Sequence, residues 1–282
     1  MDVSGEGSDA AEAEFAAVAA QAQFAAVAAE ARHERIPGEA TRLVGTAADR
    51  SLLLRVTGSV AVHLHCSQHN RLMGELGRRP FYDIDFWGRD RDHQRIDAFF
   101  QAEGYQADPA ARGLREWGIK RQIFAHPETG IKIDVFMDTL VMAHTIRFVD
   151  RLELADPCIS LADLVLSKLQ IHEMTANDLI DLTVLLGEHR IGTQAAGQID
   201  LNRIRDVLCD DWGFWYTADL NLAKLHESVG RPGLDPELAA RVRMQIDTLR
   251  AHLTEAPKSR RWKLRAKVGT RKRWYQQVEE VG

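Results

Sequence analysis

Cysteine is scarce in this chain of 282 residues: Cys66, Cys158 and Cys209 are odd in number and widely spaced. A disulfide framework needs paired thiols, so that kind of scaffold is excluded and a reducing, cytoplasmic setting is expected. Long apolar runs are lacking too. None approaches the roughly eighteen residues needed to cross a bilayer, so no membrane span or membrane partner is expected. The N-terminus is acidic and its Phe-Ala-Ala-Val stretch is broken by Glu and Gln, which argues against a secretory signal. What remains, at 45% apolar and 27% charged residues, has the composition of a soluble globular enzyme of about two domains.

The most informative segment is Phe81-Tyr82-Asp83-Ile84-Asp85-Phe86. The strand period of two places Asp83 and Asp85 on one face and Tyr82, Ile84 and Phe86 on the other. Two carboxylates so placed repel unless water or a cation lies between them, and hard oxygen ligands of this kind suit Mg²⁺ that also holds substrate phosphates. A second strand pattern, Gly130-Ile131-Lys132-Ile133-Asp134-Val135-Phe136, puts Lys132 and Asp134 on one face. Upstream, Leu52 to Thr57 reads as a strand that ends at Gly58-Ser59 and passes into a helical Val60 to His65. A strand, Gly-Ser, helix corner presents free backbone N–H groups to a phosphate.

In this order the residues resemble the nucleotidyltransferase superfamily with the polymerase-beta-like fold. The likeness is closest to AbiEii-type toxins of abortive-infection and toxin–antitoxin systems. There an arginine precedes the Asp pair by four residues, as Arg79 does here, and a later helix carries a lysine, here Lys168, followed by an Arg-Asp-x-x-Asp-Leu motif. Asn177-Asp178-Leu179-Ile180-Asp181-Leu182 stands in the place of that motif. The resemblance covers roughly residues 52 to 186. This chain departs from the pattern in its long Ser59–Asp83 loop, in Phe81 where Ser or Thr is common, and in Asn177 where Arg is expected.

The resemblance implies an α+β fold: a small mixed β-sheet nucleotidyltransferase core flanked by helices, followed by a mostly α-helical C-terminal domain. It implies transfer of a nucleoside monophosphate from an NTP to a hydroxyl acceptor on RNA or tRNA, a protein or a small molecule, with ATP binding among the expected properties. Asp83, Asp85 and Asp134 would ligate two Mg²⁺ ions and, with Lys168, form the catalytic set. Gly58, Ser59, Arg79, Lys132 and Asp181 would bind the nucleotide, and an antitoxin would be a possible partner. A catalytically silent nucleotide-binding module and an aminoglycoside-type small-molecule nucleotidyltransferase stay open as alternatives.

The expected organisation is an Ala-rich helix over 1–36 containing a short duplication, a catalytic domain over 37–155, a helical domain over 156–257 and a basic tail over 258–282. The catalytic part includes a helix from Asp92 to Glu103, and a hairpin through His126-Pro127-Glu128-Thr129-Gly130 that joins a strand near Trp117 to Phe124 to the Lys132 strand. Residues 258–273 carry no acid. Residues 258–282 hold nine basic and two acidic residues against 27 basic and 39 acidic elsewhere, so a body of −12 carries a tail of +7. Basic clusters with interleaved aromatic rings suit an RNA acceptor, and a tail folded back on its acidic body explains them equally well. His63, His65, Cys66 and His69 lack the four convergent ligands of a closed zinc site and read as satisfied or surface groups. Trp212-Gly213-Phe214-Trp215-Tyr216 reads as helical-domain core.

Overall fold

The computed structural model of the protein describes residues 33–113, 118–193, 197–230 and 233–277. The Ala-rich duplication lies outside the described residues. The first described helix, α1, covers 33–49 and runs through Pro37 and Gly38, where a domain border was expected. It continues because Ile36, Ala40, Leu43, Val44 and Ala47 recur at helical spacing and are all buried.

The strand β1 (Arg55–Thr57) leads into α2 (Gly58–His65) and α3 (Asn70–Glu75), then β2 (Asp83–Gly88) and α4 (His93–Ala102). Next come β3 (Gln106–Ala107), β4 (Arg121–Ala125), β5 (Lys132–Met137) and a small hairpin, β6 (Thr139–Val141) and β7 (Thr145–Arg147). The remainder comprises α5 (Leu161–Leu169), α6 (Ala176–Glu188), the two-residue strands β8 (Ile191–Gly192) and β9 (Ile199–Asp200), then α7 (Leu201–Leu208), α8 (Trp212–Ser228), α9 (Pro236–Glu255) and α10 (Arg260–Val268). The fold is therefore mixed α and β, with a small mixed sheet followed by a mostly helical half.

Five strands pair in the order β1-β2-β5-β4-β3, and all neighbours are antiparallel except β2 and β5. Only three residues of the expected Leu52–Thr57 strand pair with β2; Leu52 and Leu54 are buried just before it, outside the strand. The expected hairpin joins β4 to β5, with Ile123 opposite Asp134. The loop expected between Ser59 and Asp83 contains α3, whose Met73 is buried.

Alternation makes the sheet two-faced. Ile84, Phe86, Ile133 and Val135 are fully buried on one side, where Phe86 meets Phe100 of α4 at 6.0 Å between ring centroids. Gly88 lies against Ile96 of α4 so closely that a Cβ there would require the tip of the Ile96 side chain to move. The other face carries Asp83, Asp85 and Trp87 on β2 beside Lys132, Asp134 and Phe136 on β5. Past the acids this face turns apolar, where Trp87 stacks on Phe148 at 4.0 Å.

The helical half grows out of the sheet edge. The amide of Val56 donates to Pro157 O and that of Ile159 to Val56 O, so the segment around the expected 155/156 border adds to the outer side of β1. One buried apolar cluster runs from Ile36 to Leu253 across that border. Ser160 caps α5, and Thr175 with Asp178 forms a reciprocal capping box on α6. Beyond its cap contact with Ser160, Asp163 is 1% exposed and accepts from Arg151 at 2.7 Å and Arg203 at 2.9 Å, tying the β7–α5 connection to α7.

The C-terminal segment folds back on the body. Trp262 of α10 meets Trp215 at 5.4 Å, and the Trp274 indole donates to Thr217 Oγ1 at 3.0 Å. Tyr275 stacks on His172 at 3.5 Å. The Trp212 to Tyr216 cluster is thus the surface on which this segment lies, and its rings are engaged by protein. Arg260, Arg261, Lys263, Lys267, Arg271, Lys272 and Arg273 remain exposed around them.

Removing a shared buried carboxylate leaves two guanidiniums facing each other. Asp163→Ala is therefore expected to lower unfolding free energy by about 3–5 kcal/mol in urea titration. A loss below about 1 kcal/mol would mean that solvent screens Arg151 and Arg203 there.

A candidate metal centre at the β2–β5 strand ends

The site begins with the register of two parallel strands. Asp83 lies opposite Lys132 and Asp85 opposite Asp134, so two local Asp-x-Asp and Lys-x-Asp patterns become one patch. One oxygen from each of Asp83, Asp85 and Asp134 lies within 4.8 Å of the others, and no other such group of metal-ligating side chains occurs among the described residues. Asp83 is exposed, while Asp85 and Asp134 are partly buried, so the group opens to solvent on the Asp83 side.

Electrostatics at this patch favour an added cation. Desolvation, then repulsion from Asp83 and Asp134, pushes Asp85 up to about 8. Desolvation and the nearby Asp134 also push Asp83 above its ordinary value. Partly buried Asp85 accepts no hydrogen bond from the described side chains, and its neighbours here are the other two acids. The hard oxygen set and its spacing fit a divalent ion bound by carboxylates.

The corner before α2 is built against these acids. Gly58 has φ of +64°, and a Cβ there would overlap Oδ2 of Asp85. Only glycine satisfies both the left-handed backbone and the close approach. Thr57 places no side-chain acceptor on the first turn of α2, so the cap position is open on the side of the acids. The Ser59 hydroxyl points elsewhere, donating to Asp181 at 3.0 Å.

Asp181 is fully buried and joins three elements. Arg78 reaches it at 2.7 Å from the loop before β2, and Lys168 at 2.7 Å from α5. Lys168 also donates to Asp178 at 3.0 Å, while the other oxygen of Asp178 accepts from Thr175. Burial works against the charge of Lys168, yet Asp181 and Asp178 outweigh it and hold its pKa above the ordinary value. For Asp178 burial is likewise outweighed, by Lys168 and Thr175, and its pKa is lowered. The positive charge of Lys168 is felt at Asp85, so this buried network lies directly behind the acid patch.

Of the expected residues, Asp83, Asp85, Asp134, Gly58 and Lys132 are brought together at the strand ends. Lys168, Asp181 and Ser59 form the buried network behind them. Arg79 is exposed and is engaged through its backbone, the amide donating to the Asn177 side chain at 3.2 Å and the carbonyl accepting from Arg78 at 2.6 Å. Its neighbour Arg78 turns inward instead and lies over the Phe81 ring at 4.7 Å.

A further residue enters that the sequence pattern did not single out. Arg121 of β4 donates to Asp134 through both arms of its guanidinium, at 2.9 and 2.7 Å. Its signal was the hairpin itself: Arg121 shares a face with Ile123, and Ile123 faces Asp134. A six-residue connection leaves that register open until the strands are packed. The histidines near α2 are satisfied singly, His65 by Ile159 O at 3.0 Å and His69 by Glu188 at 3.0 Å. A cavity of about 420 Å³ opens elsewhere, between Gln170–Glu173 and Arg273–Gln277, and holds none of the expected site residues.

No family model and no curated protein matches the chain. Among the described residues, no helix is long and apolar enough to cross a membrane.

The raised Asp85 has a definite pH signature. Its folded value lies above the unfolded one, so the folded state holds the extra proton between about pH 4 and pH 8. Stability from this group is present at the acid end of that window and is lost as pH rises through it. Asp85→Asn in metal-free protein is expected to flatten this fall and to raise the melting temperature at pH 8. A variant that melts below wild type at pH 8 would show that the Asp85 charge is stabilised rather than opposed.

Proposed function

We propose that the protein is a Mg²⁺-dependent nucleotidyltransferase with a polymerase-beta-like core, moving a nucleoside monophosphate from an NTP to a hydroxyl acceptor and releasing pyrophosphate. The observation that carries this reading is the convergence of Asp83, Asp85 and Asp134 beside the Gly58 corner. The same residues, in the same chain order, carry the resemblance to that superfamily and, within it, to AbiEii-type toxins.

Asp83 and Asp85 would hold the metal, with Asp134 completing the set. Bound Mg²⁺ at such a site supplies Lewis-acid stabilisation of phosphate charge and makes a hydroxyl more acidic. The uncapped first turn of α2 at Gly58 would receive a triphosphate, drawing on the positive partial charge of its N–H groups. Lys132, exposed beside Asp83, would contact phosphate. Lys168 and Asp181 act as positioning residues. Their buried network with Arg78 and Ser59 locks α2, α5 and α6 behind the acids and brings one positive charge towards Asp85. Charge held in place before the reaction begins usually supplies most of the acceleration in phosphoryl transfer.

A catalytically silent nucleotide-binding module is the second reading, and the observation favouring it is the guanidinium of Arg121 on both oxygens of Asp134. The acceptor class is read from the exposed basic residues around α10, which favour RNA over a small aminoglycoside-like acceptor. A toxin role with a cognate antitoxin stands on the resemblance alone.

The deciding assay follows label from each of four α-³²P NTPs, with Mg²⁺, onto RNA, protein and small-molecule fractions of a bacterial lysate. Wild type is expected to label one fraction, and the Asp83→Ala, Asp85→Ala double variant to lose that label by at least about 10³-fold. Label that survives the double substitution would remove the acids from catalysis. Nucleotide binding without label in any fraction would favour the silent module.

A further inference from the structure

Three carboxylates within 4.8 Å cannot all be charged without a counter-ion, and the chain carries one of its own. Arg121 spans from β4 to Asp134 in a two-pronged contact, with the Asp134 side chain 14% exposed and that of Arg121 24%. Its guanidinium rests over the Phe136 ring at 5.2 Å, which fixes its plane. Both oxygens of Asp134 are taken by this fork, leaving Asp83 and Asp85 as the pair without a cationic hydrogen-bond partner.

We propose that Arg121 is a resident counter-cation that competes with metal for Asp134, so that the site takes a first divalent ion on Asp83 and Asp85 and a second only when Arg121 is displaced. This rests on the metal reading of the acid patch and extends it with an order of binding. The physical ground is that one guanidinium and one divalent ion cannot share the same two oxygens, while Asp83 and Asp85 are open to an ion without moving it. Arg121 is thus a positioning residue for the acid site. It holds Asp134 in place when metal is absent, and sets the concentration at which Asp134 becomes a ligand. An anionic ligand at the strand ends would draw the guanidinium off and bring the second ion in together with the ligand.

The test counts ions directly, without turnover. Mn²⁺ is titrated by electron paramagnetic resonance into wild type, Arg121→Gln and Arg121→Lys, with no nucleotide present. Wild type is expected to show one tight ion and a second, much weaker one. Arg121→Gln is expected to bind the second ion at least about tenfold more tightly, because a unit positive charge has left its side. Arg121→Lys, which keeps the charge but not the fork, is expected to fall between them. In metal-free protein Arg121→Gln is expected to melt below wild type, and saturating Mn²⁺ to restore much of that loss.

A purely structural role would lower stability and leave the ion count and affinities unchanged, and that result would overturn the proposal while leaving the metal site standing. If Arg121→Gln fails to fold, wild type alone decides: two equivalent tight ions would overturn the competition, and one tight with one weak ion would support it. Folded wild type that binds no Mn²⁺ at millimolar concentration would instead overturn the metal reading beneath it.

Discussion

The parallel pairing of β2 with β5 is the constraint on which the rest depends. Once Ile84 and Phe86, with Ile133 and Val135, are buried against α4, the opposite edge of each residue pair must face the other way. That face then holds three carboxylates at the strand ends, an arrangement unfavourable in itself. The stability of the apolar face carries the cost of the polar one. A register slip of one residue would turn the acids into the core, so hydrophobic packing holds the register and the register assembles the acids.

Around this patch the chain arranges compensation at two depths. Arg121 neutralises Asp134 on the acid-bearing face of the sheet. Behind the sheet edge, Lys168 and Arg78 converge on Asp181, and Asp178 serves Lys168 while it also caps α6. The helical half is joined to the site in the same way. Its entry segment adds to β1, α2 packs with α5 and α6, and the buried charges cross between them. The buried apolar cluster and the network behind the acids both run across residues 155 and 156.

The basic C-terminal segment illustrates how composition and structure answer different questions. Its charge asymmetry is a matter of counting. Whether its tryptophans are free to stack on bases depends on what they touch, and Trp262 and Trp274 are engaged by Trp215, Tyr216 and Thr217. Most positive charges of this segment remain exposed.

By itself the sequence determined the local geometry: the shared face of Asp83 and Asp85, that of Lys132 and Asp134, and the glycine corner at Gly58. These follow from the period of two in strands and from the absence of a Cβ, both of which act within a few residues. It also overstated the extent of the strand from Leu52, because burial outside the local window sets where an element stops. Only the tertiary structure decided that the two acid-bearing faces are the same face, that Arg78 rather than Arg79 turns inward, and that Arg121 reaches Asp134. Those outcomes depend on strand order, hairpin register and the packing of long side chains, which are set by contacts between residues far apart in the chain.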